Sequence, residues 1–254
     1  MPLLTELTSA QHVNLKVKPE AVIEYAKKQH VLNLSATELA HAATCFPTFV
    51  TRNNHDGDWA FSAMTSFETG HNLFVQGNQW QTVFQPSSMR TYPLYLMQKT
   101  DRSNSFCIGF DAESDAFSEK QGKQLFESSG KASEHLSMVT QLLEDQLKEI
   151  KATYAFAQKL EMLGLLKAVD LQVIYQDGQT NLIKGLHTIN EDVLGTLSSE
   201  SLSELNEAGY LMPIHAMLMS ILQINVLINK HNMTTDGIKV VNVKMEVSKA
   251  FSHI

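Results

Sequence analysis

The sequence predicts an α+β fold in which an antiparallel sheet meander packs against a long amphipathic helix and a buried C-terminal helix. Three observations carry this prediction. Short apolar runs alternate with turn residues through residues 45–111, including polar turns at 53–58 and 99–104. Apolar residues at helical spacing fill residues 133–166, and residues 211–228 contain no charged side chain. These patterns are typical of paired strands, an amphipathic helix and a buried helix.

The first fifty residues predict short elements. A strand at residues 14–17 precedes a helix that begins at Pro19, and a second strand covers residues 30–34. Ser35 and Glu38 then have the spacing of a capping box, in which each side chain accepts a hydrogen bond from the backbone of the other residue. We therefore interpret Glu38 as the cap of its own helix rather than as a catalytic carboxylate.

Residues 65–94 contain the most distinctive residues of the chain and predict strand, turn, strand, turn and strand. Polar and aromatic side chains lie at the ends of these predicted elements, where binding sites tend to lie. The candidate ligand-binding residues in this segment are His71, Asn72, Trp80, Arg90 and Tyr92.

Two of the charged candidates allow more than one interpretation. The guanidinium of Arg90 could bind an anionic ligand, or its stem could pack on Trp80 or Tyr92 while its charge pairs with a carboxylate. Asp111 opens an acidic segment that could hold a metal ion or a cationic substrate, although a solvated loop is the more common arrangement. We keep Asp111 as a candidate ligand-binding residue and predict no metal site.

The longest predicted helix begins near Ser133, which is placed to cap its first turn. Apolar side chains recur every three or four residues from Leu136 to Leu160, which predicts a helix packed across the sheet. The alternative is that this stripe forms the seam of a homodimer.

The last third of the chain predicts a hairpin around Asp177 and Gly178, because Asp-Gly favours a tight turn. Residues 211–228 are long enough to cross a bilayer, but they include a proline, a histidine and three other polar residues that are costly in lipid. We therefore predict a buried helix and no membrane span. Residues 241–247 alternate and predict a final strand, either at a sheet edge or as a docking arm for another chain.

Composition disfavours several classes of function. The 254 residues carry a net charge of −7, which argues against general nucleic-acid binding because that requires a basic face. Phosphate-binding glycine loops, zinc-protease motifs, paired-cysteine motifs and the serine-hydrolase elbow do not occur. Cys45 and Cys107 are expected to be thiols. The first residues lack the pattern of a secretory signal, so we expect a cytoplasmic protein.

An ordered set of short motifs resembles the SapC family, soluble bacterial proteins named after a surface-layer gene cluster. The motifs extend over about residues 12–228 and include Gly70-His71-Asn72-Leu73-Phe74-Val75, Arg90-Thr91-Tyr92-Pro93, Phe46-Pro47, Gly122 with Leu125-Phe126, Gly164-Leu165-Leu166, Ile189-Asn190-Glu191 and Gly209-Tyr210-Leu211. The chain does not resemble the peptide-transporter permease of the same name. We expect one SapC-like domain over residues 1–254, with residues 229–254 as a C-terminal extension.

The resemblance implies no established activity, but it implies a link to bacterial surface-layer or outer-membrane uptake systems. Our leading hypothesis is therefore a non-enzymatic binding or accessory protein with a protein partner or a small ligand. The alternative is an enzyme or a cofactor-binding protein with its site near His71, Asn72, Arg90 and Tyr92, together with Asp111. The identity of any cofactor stays open.

Overall fold

The computed structural model describes residues 4–52, 57–99, 105–234 and 237–248, and it has the mixed helices and antiparallel sheets of an α+β fold. The helices are α1 (Ser9–His12), α2 (Ala21–Lys27), α3 (Leu39–Ala42), α4 (Ser87–Thr91), α5 (Glu134–Met162), α6 (Glu191–Gly195), α7 (Ser199–Glu207), α8 (Leu211–Ser220) and α9 (Gln223–Thr234). The strands are β1 (Leu4–Glu6), β2 (Lys16–Val17), β3 (Val31–Leu34), β4 (Thr48–Arg52), β5 (Trp59–Met64), β6 (Val75–Gln76), β7 (Gln79–Trp80), β8 (Leu94–Gln98), β9 (Phe106–Asp111), β10 (Phe117–Ser118), β11 (Lys123–Gln124), β12 (Leu166–Tyr175), β13 (Thr180–Ile189) and β14 (Val240–Val247). The predicted fold class is confirmed.

The largest sheet has six antiparallel strands in the order β14, β12, β13, β4, β5 and β3. Its longest hairpin, β12–β13, turns through Gly178 at a φ of +86°, so the predicted Asp-Gly turn is confirmed. Helix α5 packs on this sheet through Phe156, whose ring stacks on Phe61 of β5 at 5.3 Å between centroids. The predicted final strand is also present, and it lies at the edge of the sheet.

A second, smaller hydrophobic core is built from two three-stranded sheets, β1-β9-β8 and β10-β2-β11, and from the first half of α5. Leu136 and Leu143 of α5 belong to this core, whereas Phe156 and Leu160 belong to the core of the six-stranded sheet. The helix has 29 residues and is roughly 44 Å long. It therefore joins the two cores.

Both ends of the apolar stripe of α5 are buried inside the chain, which confirms the predicted packing of this helix against sheets, whereas Ile150 and Tyr154 in its middle are 56% and 46% exposed. Because Leu136, Leu143 and Leu160 are almost inaccessible to solvent, they are not available for the homodimer seam that we considered as an alternative.

The strands of residues 45–111 are divided among three sheets. Strands β4 and β5 join the six-stranded sheet, β6 and β7 form a two-stranded ribbon, and β8 and β9 pair with β1. A short helix that the sequence analysis did not predict, α4, follows Pro86. Alternation along the sequence identifies a strand by its exposed and buried sides, but it does not identify the partner strand. Most of the polar turns at 53–58 and 99–104 lies outside the described residues.

The uncharged residues 211–228 form parts of two helices, α8 and α9, that are bent by 41°. At the break, the Ser220 hydroxyl donates to the Met217 carbonyl oxygen at 2.7 Å, and hydrogen bonds of this kind bend helices. The pair is buried on one side only, because Met212, Met219 and Leu222 are exposed. In the described residues no single helix is long and apolar enough to cross a bilayer; the bent pair reaches that length only when both helices are taken together.

Candidate functional site

Arg90 and Tyr92, two of the predicted site residues, line the same surface cleft. This Arg90 cleft has a volume of about 310 Å³ and lies where α2, α4, the first turns of α5 and the β2–β11 pair meet. Its floor is apolar and includes Val17, Val22, Met138, Val139 and Leu142. Its rim carries Lys18, Arg90, Lys123 and His135.

The two lysines reach the cleft through strand pairing between distant segments. Lys123 of β11 lies opposite Val17 of β2, and Lys18 is the next residue along the chain. Gly122 permits this pairing, because its φ is +122° and a Cβ at this position would collide with the Val17 carbonyl oxygen. Such a backbone conformation favours glycine. Gly122 therefore fixes one wall of the Arg90 cleft.

Arg90 is positioned by α4, and α4 is held by Glu38. The Glu38 carboxylate accepts a hydrogen bond from the Ser35 backbone N–H at 2.9 Å, which confirms the predicted capping box. Its other oxygen accepts from the backbone N–H of Ser87 at 2.7 Å and so also anchors the start of α4. Met89 is fully buried, and the adjacent Arg90 consequently points outwards, where it is exposed.

The first turn of α5 is fixed beside β11. The Ser133 hydroxyl accepts from the Leu136 backbone N–H at 3.1 Å and donates to the Gln124 carbonyl oxygen at 2.7 Å. This cap places His135 in the first turn, near the positive end of the helix dipole.

The charge of the Arg90 cleft has one sign. Lys18, Arg90 and Lys123 form no ion pair with any residue of 4–52, 57–99, 105–234 or 237–248. None of the described residues that line the cleft is an aspartate or a glutamate. Clefts lined by one sign of charge concentrate ligands of the opposite sign. The arrangement suits a ligand with an anionic head and an apolar body.

The pKa of His135 is consistent with a positively charged rim. Partial burial, followed by the charge of Lys123, lowers the pKa of His135 below its usual value of 6.5. The imidazole is therefore mainly neutral near pH 7, and it can donate or accept one hydrogen bond at the rim. A bound anion would oppose the effect of Lys123 on the pKa of His135.

Tyr92 belongs to a cluster of three tyrosines at the wall of the cleft. Its ring stacks on Tyr25 at 4.1 Å and lies edge-on to Tyr95 at 6.3 Å. Burial raises the pKa of Tyr25 and of Tyr95, with further contributions from the neighbouring tyrosines and, for Tyr95, from Asp111. These two phenols are therefore protonated near neutral pH and do not act there as anionic bases.

His71 and Asn72 lie outside the Arg90 cleft and differ in their roles. His71 is exposed. Asn72 is only 8% exposed, and its amide donates to the Ala26 carbonyl oxygen at 2.9 Å while its oxygen accepts from the Phe74 N–H at 2.9 Å. Asn72 thus connects the end of α2 to the start of β6, which is a structural role.

Trp80 and Asp111 also lie outside the Arg90 cleft. The Trp80 indole N–H donates to the Phe84 carbonyl oxygen at 2.9 Å, and its ring packs at 6.0 Å from that of Phe46. Asp111 accepts from the Glu113 backbone N–H at 3.0 Å, which closes a local turn. Both side chains are therefore engaged in holding the fold.

Lys18, Lys123 and His135 were not among the site residues predicted from the sequence. They come from three separate segments, and each looks like an ordinary surface residue in its own segment. The one local signal is Gly122, which belongs to the resembling motifs and immediately precedes Lys123. Gly122 indicates the position of the cleft only when its partner strand, β2, is known.

The alternatives to the Arg90 cleft are a second cleft and a metal site. A larger cleft, of about 540 Å³, includes Glu38, Trp59 and Tyr154, but the Glu38 carboxylate is already occupied by the backbone bonds described above. In the part of the chain that the structure describes, no group of three or more histidine, cysteine, aspartate or glutamate side chains could hold a metal ion. The Arg90 cleft is therefore the better candidate for ligand binding.

Comparison with known proteins gives one match. The family model SapC matches residues 7–227 of the 254 residues, a region that contains every residue of the Arg90 cleft. No curated protein and no solved structure matches the chain.

Proposed function

The chain belongs to the SapC family, and on that premise we propose that it is a cytoplasmic accessory protein that binds an amphipathic anion in the Arg90 cleft and serves a bacterial surface-layer or outer-membrane uptake system. The link to such systems rests on the family resemblance. Cys45 and Cys107 do not form a disulfide with each other, which is consistent with a reducing compartment.

One observation carries the binding proposal: three unpaired cations surround an apolar floor that has no lining carboxylate among the described residues. An arginine and two lysines suit a carboxylate or a phosphate group. The apolar floor suits a short aliphatic or aromatic body. A volume of about 310 Å³ is at the lower end of ligand pockets, so the ligand is small.

A calorimetric titration tests the proposal with three probes that share one alkyl chain: octyl phosphate, octanoate and octylammonium. The wild-type protein should bind the two anions and not the cation, because the rim is positive. The double variant Arg90→Ala/Lys123→Ala should weaken octyl phosphate binding by about a hundredfold or more, since each of the two charge-assisted hydrogen bonds contributes roughly 1.5–3 kcal/mol.

Lys151→Ala is the matched control, because it removes one positive charge from an exposed position on α5 outside the cleft. It should leave octyl phosphate binding within about twofold of the wild type, a change of less than 0.5 kcal/mol. Equal binding of octylammonium and octyl phosphate, or an unchanged affinity in the double variant, would reject the Arg90 cleft as an anion site.

A second candidate function, catalysis in the same cleft, is favoured by the mainly neutral His135 at its rim. A neutral imidazole beside a bound anion can act as a general base. If a ligand recovered from the protein were converted, His135→Gln should abolish turnover while leaving binding of the anion nearly unchanged. If binding and turnover fell together, His135 would contribute to binding alone.

A further inference from the structure

The six-stranded sheet ends in an edge that is open over residues 243–247; at the start of β14 the Val240 N–H and C=O are bonded to the Asn232 side chain. Strand β14 pairs with β12 on one side, and no other described strand pairs with its outer side. The Ser248 backbone N–H donates to the Ala168 carbonyl oxygen of the β12 side at 3.0 Å. Because backbone groups alternate along a strand, the even-numbered residues of this region face β12. Val243, Met245 and Val247 therefore direct their backbone N–H and C=O groups towards the open edge.

Apolar and charged side chains lie on opposite faces of this edge strand. Val243, Met245 and Val247 lie on one face, and the last two are 41% and 61% exposed. Lys244 and Glu246 alternate with them on the opposite face and are both exposed. Sheet edges that avoid pairing usually carry prolines, bulges or charged side chains, and the two charges of this edge are of opposite sign. The register shift between β12 and β14 lies near Val240, so residues 242–247 continue in regular pairing and form a straight edge.

We propose that β14 binds β14 of a second copy of this chain in an antiparallel register centred on Met245. Within that register Lys244 lies opposite Glu246 of the other copy, and the same contact repeats by symmetry. Val243 lies opposite Val247, and Met245 lies opposite its own counterpart. Every outward backbone group from Val243 to Val247 then gains a partner, and the two sheets form one sheet of twelve strands.

The charges of Lys244 and Glu246 favour this register over the two registers centred on either of these residues. A two-fold axis at Lys244 would place two lysines opposite each other, and an axis at Glu246 would place two glutamates opposite each other. Like charges in directly opposed positions are destabilising, whereas opposite charges are stabilising. The edge is thus complementary to itself in the register centred on Met245, which favours a second copy over an unrelated strand.

Charge-swap variants test the proposal by sedimentation velocity over micromolar to submillimolar concentrations. The wild type should reach twice the 28.4 kDa chain mass. Lys244→Glu and Glu246→Lys should each raise the dimer Kd by about tenfold or more, since each converts two attractive contacts into repulsive ones. The double variant Lys244→Glu/Glu246→Lys should restore wild-type association. Both positions are exposed, and circular dichroism will verify that the variants fold.

Cysteine cross-linking tests the register itself, with Cys45 and Cys107 replaced by serine in every sample. Opposed residues that do not exchange backbone hydrogen bonds have Cα atoms about 4.5 Å apart, a distance that a disulfide can span. A mixture of Lys244→Cys and Glu246→Cys proteins should therefore cross-link, whereas Lys244→Cys alone should not. A wild type that stays monomeric, a dimer insensitive to both charge swaps, or cross-linking of Lys244→Cys alone would overturn the proposal.

Discussion

Replacing Asn72 with alanine should destabilise the fold, because both of its hydrogen bonds are internal. The Ala26 carbonyl oxygen would keep the backbone N–H of Gln29 at 3.0 Å, so losing the amide donor removes one bond without leaving that oxygen unpaired. The Phe74 N–H has no such substitute, and Phe74 is almost completely buried. One lost bond contributes roughly 1 kcal/mol and one unpaired buried donor roughly 1–3 kcal/mol. We therefore expect a loss of about 2–4 kcal/mol in the free energy of unfolding.

Urea denaturation followed by circular dichroism measures this loss, and His71→Ala is the matched control. His71 is exposed, so its replacement should change the free energy of unfolding by less than about 0.5 kcal/mol. Near pH 7, Asn72→Asp should destabilise the fold at least as much as Asn72→Ala, because its carboxylate would be buried against the Ala26 carbonyl oxygen. If Asn72→Ala were as stable as the wild type, the structural role assigned to Asn72 would be refuted, and its candidacy as a ligand-binding residue would regain support.

Two further predictions concern the wall of the Arg90 cleft and the pH dependence of stability. Gly122→Ala should destabilise the protein by about 1–3 kcal/mol and weaken octyl phosphate binding, because a Cβ collides with Val17 at a φ of +122°; unchanged urea midpoint and affinity would contradict this. Burial and then the charge of Arg52 lower the pKa of His187 below 6.5. The stability that neutral His187 contributes is complete above pH 6.5 and is lost as the pH falls through the lowered pKa, since the unfolded state then binds more protons. His187→Gln should therefore flatten the decline of the urea midpoint in this acidic range, and an equally steep decline would exclude His187 as its source.

Structural features that depend only on residues close together in the sequence were predictable. The Ser35–Glu38 capping box, the Ser133 cap and the Asp177–Gly178 turn each depend on residues within a few positions of one another. The structure contains all three. The stripe from Leu136 to Leu160 also identified α5 correctly, because helical periodicity is a property of one segment.

Features that depend on distant residues were not predictable in the same way. The bend between α8 and α9 involves Ser220, whose hydroxyl accepts from the backbone N–H of Thr48, 172 residues away. The rim of the Arg90 cleft likewise requires the pairing of Lys123 with Val17. Arg90 and Tyr92 were selected for their type and their position at the ends of predicted elements, and the structure places both in the cleft. Asn72 was selected on the same grounds, and its hydrogen bonds instead serve the fold.

Native mass spectrometry of protein purified gently from its own cells tests whether the Arg90 cleft holds a small amphipathic anion. We expect the wild type to carry a small, fixed added mass beyond the 28.4 kDa chain or its dimer. That added mass should be absent from Arg90→Ala/Lys123→Ala and retained by Lys151→Ala. Fragmentation should identify the retained species as an anion with an apolar body. A bare wild-type mass, or an added mass that persists in the double variant, would contradict the account.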